Sequence, residues 1–191
     1  MTVGRLVRAA DVIGLPVVTI DGGDDIAEIK DVVYDGSRHV LVGFTLNKRG
    51  WLAGNFKAML AADNIAAIGG DAVMVDTAAD LVDANQAPSD LADTSPAHPM
   101  LGSSVLSADG NELGEIVGVI IETSDEPAAV GYEVRGGDAT VFVPISAQMA
   151  ISDDNLIVPA NATEFVRNDL AGFGAAVESF RTYLSSDTEG A

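Results

Sequence analysis

Ile13-Gly14-Leu15-Pro16-Val17-Val18 is followed by an acidic glycine turn, Asp21-Gly22-Gly23-Asp24, and then by Ile26-Ala27-Glu28-Ile29-Lys30-Asp31-Val32-Val33. The same series returns as Leu101-Gly102-Ser103-Ser104-Val105-Leu106, Asp109-Gly110-Asn111-Glu112 and Leu113-Gly114-Glu115-Ile116-Val117-Gly118-Val119-Ile120. Two later segments keep the correspondence. Val42-Gly43-Phe44-Thr45-Leu46 matches Val130-Gly131-Tyr132-Glu133-Val134, and the stretch Ile65 to Val75 matches Met149 to Val158. Preserved order with only small gaps marks a tandem duplication.

Between the copies runs Asp83 to Pro99, polar and punctuated by Pro88, Pro96 and Pro99, which is linker chemistry. The division that follows is a first repeat over 1–82, a linker over 83–98 and a second repeat over 99–160. A C-terminal helix over 161–185 and an acidic tail over 186–191 complete it. Within each copy the apolar period is two: Val40, Val42, Phe44 and Leu46 alternate with Leu41, Gly43 and Thr45, and Val130, Tyr132 and Val134 with Gly131, Glu133 and Arg135. Half-buried strands give this pattern, and the short runs broken by Asp-Gly turns predict a small sandwich or barrel. Long helices do not alternate with the strands, which argues against a doubly wound α/β fold.

The C-terminus changes period. Val166, Leu170, Phe173, Val177, Phe180 and Leu184 recur at spacings of three and four, one stripe of an α-helix. Asn161 with Glu164 three residues on reads as its capped start. Three readings of the stripe stay open: it packs on the chain's own sheets, it pairs with a second chain, or it lies on a membrane. Asp169 and Glu178 beside only Arg167 and Arg181 on the polar side make the last the weakest.

The glycine and apolar positions quoted above resemble the PRC-barrel domain family. The first copy fits through its closing segment, Ile65-Ala66-Ala67-Ile68-Gly69-Gly70-Asp71-Ala72-Val73-Met74-Val75. The second departs at Gly118, where Asp31 stands in the first, and at Asp153-Asp154-Asn155, where the family has glycine. What the resemblance implies is a mainly β fold: two small PRC-type β-barrels in tandem, each of five or six strands, plus the C-terminal amphipathic α-helix. The family occurs in the reaction-centre H subunit, a ribosome-maturation factor and archaeal division proteins. Its common theme is protein–protein contact, so the resemblance implies an interaction module, by analogy of fold alone.

Composition narrows the chemistry. Across 191 residues, 29 acidic and 10 basic side chains leave a net charge of −19, which repels a phosphate backbone. Direct contact with nucleic acid is therefore not expected. Absence of cysteine removes disulfides, thiolate metal sites and cysteine nucleophiles. His39 and His98 lie far apart in sequence, and both read as solvated. The N-terminus has no long apolar run, so the expectation is a cytoplasmic protein without a membrane span. The acid excess, with lysine only at positions 30, 48 and 57, also fits a salt-rich cytosol.

Asp24-Asp25 and Asp153-Asp154 read as acidic turns rather than cation sites, and Gly22-Gly23 and Gly69-Gly70 as positions needing positive φ. The serines and threonines lack a nucleophile-elbow setting, so no catalytic residue, metal or cofactor is expected and the protein is not read as an enzyme. The partner-contact candidates are Trp51 and Phe56, set among Lys48, Arg49 and Lys57, together with the stripe Val166, Leu170, Phe173, Val177, Phe180 and Leu184. The expected partner is another protein or a second copy of this chain. Two alternatives remain: an accessory factor in RNA or ribosome maturation that contacts a basic protein, and a protein that binds cations or small ligands.

Overall fold

The two copies of the repeat build the same strand ladder in the computed structural model, which describes residues 4–35, 38–49, 58–83, 100–124, 126–152 and 155–188. The chain opens with β1 (Arg5–Arg8) and the one-turn helix α1 (Ala9–Val12). The first copy then contributes β2 (Pro16–Thr19), β3 (Asp25–Asp35), β4 (Val40–Lys48), β5 (Ala58–Ala61), β6 (Ala67–Ile68), β7 (Val73–Val75) and β8 (Leu81–Asp83). The second contributes β9 (Ser104–Ser107), β10 (Glu112–Thr123), β11 (Ala128–Gly136), β12 (Ala139–Pro144), β13 (Ala150–Ser152) and β14 (Asn155–Val158). A single long helix, α2 (Leu170–Thr188), ends the described chain.

Pairing runs β6-β7-β2-β3-β4-β5-β8 in the first sheet and β12-β11-β10-β9-β14-β13 in the second. Among the described residues each sheet has seven strands, against the five or six expected, and in the second sheet one of the seven is β1. Every other strand pair is antiparallel except β2 with β7 and β9 with β14. The duplication is exact down to its irregularities. The β3–β4 ladder skips a residue between Ile29 and Asp31 and again between Val33 and Tyr34; β10–β11 skips between Ile116 and Gly118 and between Ile120 and Ile121. Bulges bend the strands that carry them, so both sheets curl at equivalent points around their apolar faces. The Ile-Gly and Leu-Gly turns correspond too: Gly14 (φ +88°) donates its amide to Ile29, and Gly102 (φ +90°) to Ile116. Of the paired glycines read as turn residues, only Gly23 has positive φ; Gly69 and Gly70 do not.

Two features define how the halves join. First, β1 leaves its own repeat and pairs with β10 of the other, Arg5 opposite Thr123 and Arg8 opposite Ile120. The following helix α1 also packs on β10. Second, the halves do not keep separate cores. One cluster runs from Val12, Val17, Ile29 and Phe44 of the first repeat through Met100 to Val105, Ile116, Tyr132 and Leu156 of the second. Apolar surface on the two inner faces is buried against the opposite repeat, so the pair behaves as a single packed body.

The C-terminal helix starts later than Asn161. Residues Ala160–Phe165 form a 3-10 helix, and Arg167 makes an isolated antiparallel bridge to Phe142 that keeps the backbone extended. The α-helix begins after Asp169, whose carboxylate accepts the Gly172 amide at 2.7 Å. Asp169 is thus the side-chain cap, and Asn161 is not.

Candidate functional site

Among the described residues, the junction of the repeats holds a buried cluster of polar, titratable side chains. Tyr34 lies at the end of β3, Tyr132 on β11, and His39 in the turn leading into β4. The Tyr34 and Tyr132 hydroxyls are 2.6 Å apart, and the Tyr132 hydroxyl is 2.6 Å from His39 Nδ1. His39 also hydrogen-bonds the backbone of Met149, beside β13. All three side chains are buried. His39 is held at φ +56°, among the described residues the one non-glycine with positive φ. That strain is tolerated because the ring is fixed at both sides by the other repeat. The expectation that His39 is solvated is therefore corrected: the turn reaches across the junction and seats the ring in the opposite half.

Burial sets the protonation of the group. Desolvation lowers the His39 pKa, outweighing the opposing pulls of the Met149 backbone and the Asp35 charge. Desolvation likewise pushes both phenols well above the ordinary tyrosine range, so each remains an O–H. In a neutral imidazole one nitrogen donates and the other accepts. The Tyr34 hydroxyl, the Tyr132 hydroxyl and His39 Nδ1 thus form one chain of bonds across the junction.

The predicted helix stripe is consumed as well. Phe173 and Val177 pack with Ile120, Val130 and Phe142 of the second sheet, with Leu6 of β1 and Leu170 alongside. Phe180 joins the shared core, where Val166 and Leu184 pack against it, and Phe165 stacks on Phe180 with ring centroids 4.9 Å apart. Of the three readings of the stripe, packing on the chain's own sheets is the arrangement seen. Trp51 and Phe56 lie outside the described residues, as do His98 and the expected linker from residue 84 onward, while Asp83 ends strand β8.

Cations are paired inside the molecule. Arg8 bonds Glu133 at 2.9 Å and lies 5.3 Å above the Phe142 ring centre. Arg181 bonds Glu122 at 2.8 Å, and Arg49 bonds both Glu28 and Asp25. Arg49, then Asn47, holds the Glu28 carboxyl below its ordinary pKa. Arg167 turns its guanidinium to the Glu164 and Val166 carbonyls. The departure at Gly118 now has a reason. Asp31 faces Thr45 across the β3–β4 ladder, whereas Gly118 faces Glu133 and a side chain at 118 would meet its carboxylate at 3.0 Å. The acid has moved across the ladder to where it can pair with the incoming Arg8.

Among the described residues no three His, Asp or Glu side chains converge to hold a metal ion. No described helix is long and apolar enough to cross a membrane. A shallow groove of about 490 Å³ lies between Glu112–Glu115 and Arg135–Gly137 and brings Glu115 and Arg135 to 4.0 Å.

Among curated proteins none matches this chain. The family model for the PRC-barrel domain matches it twice, over residues 5–82 and 92–164, and each match spans one of the two strand ladders. The chain belongs to the PRC-barrel domain family and carries the domain in tandem.

Proposed function

We propose that the protein is a non-enzymatic interaction module that presents one rigid two-repeat surface to a protein partner with a basic face. The observation that carries this reading is the distribution of charge. Arg8, Arg49 and Arg181 are spent on internal ion pairs and Arg167 on carbonyl contacts, so the net charge of −19 is carried by surface carboxylates that these cations do not neutralise. Such a field steers a cationic partner and repels a second copy of the chain. The polar cluster at the junction supports the same view, since its three side chains are buried and bonded to one another.

The test is capture on the immobilised full chain, with an acidic protein of matched charge as control. The expected result is a set of basic proteins from a native lysate, released between low and high salt and absent from the control. Purified, such a partner should bind stoichiometrically in calorimetry, with affinity falling as salt rises. Retention of nothing beyond the control set would overturn the reading. So would sedimentation showing that the chain's own dimer is its principal complex.

A further inference from the structure

We infer that His39 is a proton-sensitive latch between the two repeats, neutral and closed near pH 7 and released on mild acidification. The inference concerns regulation of the fold and is independent of which partner the surface binds. It rests on the geometry of the cluster, a buried ring at positive φ that bridges the two repeats. Nδ1 lies 2.6 Å from the Tyr132 hydroxyl, and in an imidazolium, where both nitrogens carry protons, it can only donate there. Protonation would force Nδ1 to donate to the Tyr132 oxygen. Tyr132 would then have to donate to Tyr34, 2.6 Å away, and the buried Tyr34 hydroxyl would need a new acceptor. The added proton thus fixes the direction of the whole chain of bonds and places a charge among buried groups.

The described anion that favours the charged ring, Asp35, is already engaged by Arg38. The described groups facing the ring are the Tyr34 phenol from β3, the Tyr132 phenol from β11, the Met149 backbone beside β13, and Asp35 at the base of the turn. Asp35 favours the charged ring, but its carboxylate is engaged by Arg38, through the backbone amide at 3.1 Å and the guanidinium at 3.7 Å. Desolvation remains the larger influence. The turn is also spring-loaded, since a histidine at φ +56° relaxes once its ring is no longer held. The direction of the effect follows. A histidine whose pKa is lower folded than unfolded contributes stability above its unfolded value, about 6.5, and that contribution is lost as pH falls through the folded value.

The experiment is an NMR titration of the full chain from pH 7.5 to 5, following the two histidine ring signals, assigned with His98→Gln. The expected result is a His39 pKa below that of His98, with loss of amide protection at Tyr34 and Tyr132 as it titrates. His39→Asn serves as the second arm, because asparagine tolerates positive φ and accepts from Tyr132 without titrating. Its melting temperature should fall less than the wild type's over the same range, by about 2–4 °C per pH unit below the unfolded pKa. A His39 pKa at or above that of His98, or protection at both tyrosines unchanged through the titration, would overturn the latch. If His39→Asn fails to fold, the wild-type titration alone decides.

Discussion

The Glu122 carboxylate bonds the Arg181 guanidinium at 2.8 Å through one oxygen and accepts the Gly4 amide at 2.9 Å through the other. One buried side chain of β10 therefore ties the leading strand and the terminal helix to the same sheet. Glu122→Ala should cost about 1–3 kcal/mol, because it leaves a donor unpaired on each side. Arg181→Ala should cost about 1 kcal/mol or less, since that side chain is half exposed and water replaces its partner. Urea denaturation checks the order. If the arginine variant is the weaker of the two, the carboxylate is not the common anchor.

The two tyrosines at the junction are not equivalent. Tyr132 sits between two partners, whereas Tyr34 touches only one of them by hydrogen bond at its hydroxyl. Tyr132→Phe should therefore cost about 2–4 kcal/mol, leaving both His39 Nδ1 and the Tyr34 hydroxyl buried without Tyr132, and Tyr34→Phe about 1 kcal/mol. Ring volume is not the issue, since the matching position of the first repeat is already Phe44. Equal destabilisation in thermal melts would show that shape, rather than hydrogen bonding, holds the junction.

Helix α2 rests on a glycine. A Cβ at Gly131 would lie 2.4 Å from Phe173 Cζ and 2.9 Å from the Val143 carbonyl. Gly131→Ala should push the helix off its seat at a cost of about 1–3 kcal/mol. Phe173→Ala should cost about 3–5 kcal/mol as a core truncation. Circular dichroism and denaturation measure both. A Phe173→Ala variant of wild-type stability would return the stripe to its alternative role as a partner contact.

Salt should stabilise this chain. With a net charge of −19, self-repulsion across the surface outweighs the exposed ion pairs that salt weakens. Raising potassium chloride from 0.1 to 1 M shortens the screening length from about 10 to about 3 Å. The melting temperature should rise over that range. A fall would mean that the arginine pairs, not the uncompensated carboxylates, dominate the electrostatics.

Much of the architecture could be read from the residues because the duplication is written in them. Glycine turns and period-two runs located the strands, and the matched segments fall in matched register, bulges included. What escaped was the traffic between repeats. Nothing in Arg5-Leu6-Val7-Arg8 says whose sheet it joins, because a short apolar strand pairs equally well with either edge. His39 was misjudged because its neighbours in sequence are polar, while its neighbours in space come from residues 132 and 149. The substitution of Gly118 for Asp31 was visible, but its meaning needed Arg8 beside Glu133. The helix start was misplaced because Asn161 and Glu164 mimic a cap, while the bridge at Arg167 holds the chain straight past them.

The placement of β1 also orders events in time. The carbonyl of its first residue, Arg5, accepts from the Thr123 hydroxyl, 118 residues further along the chain. On a ribosome the first repeat can gather its own strands while Leu6 and Val7 have nothing to pair with, since β10 has yet to be made. For that interval the nascent protein carries a sticky leading edge, and synthesis rate and chaperone cover decide whether that edge finds its intended sheet or a neighbouring chain's.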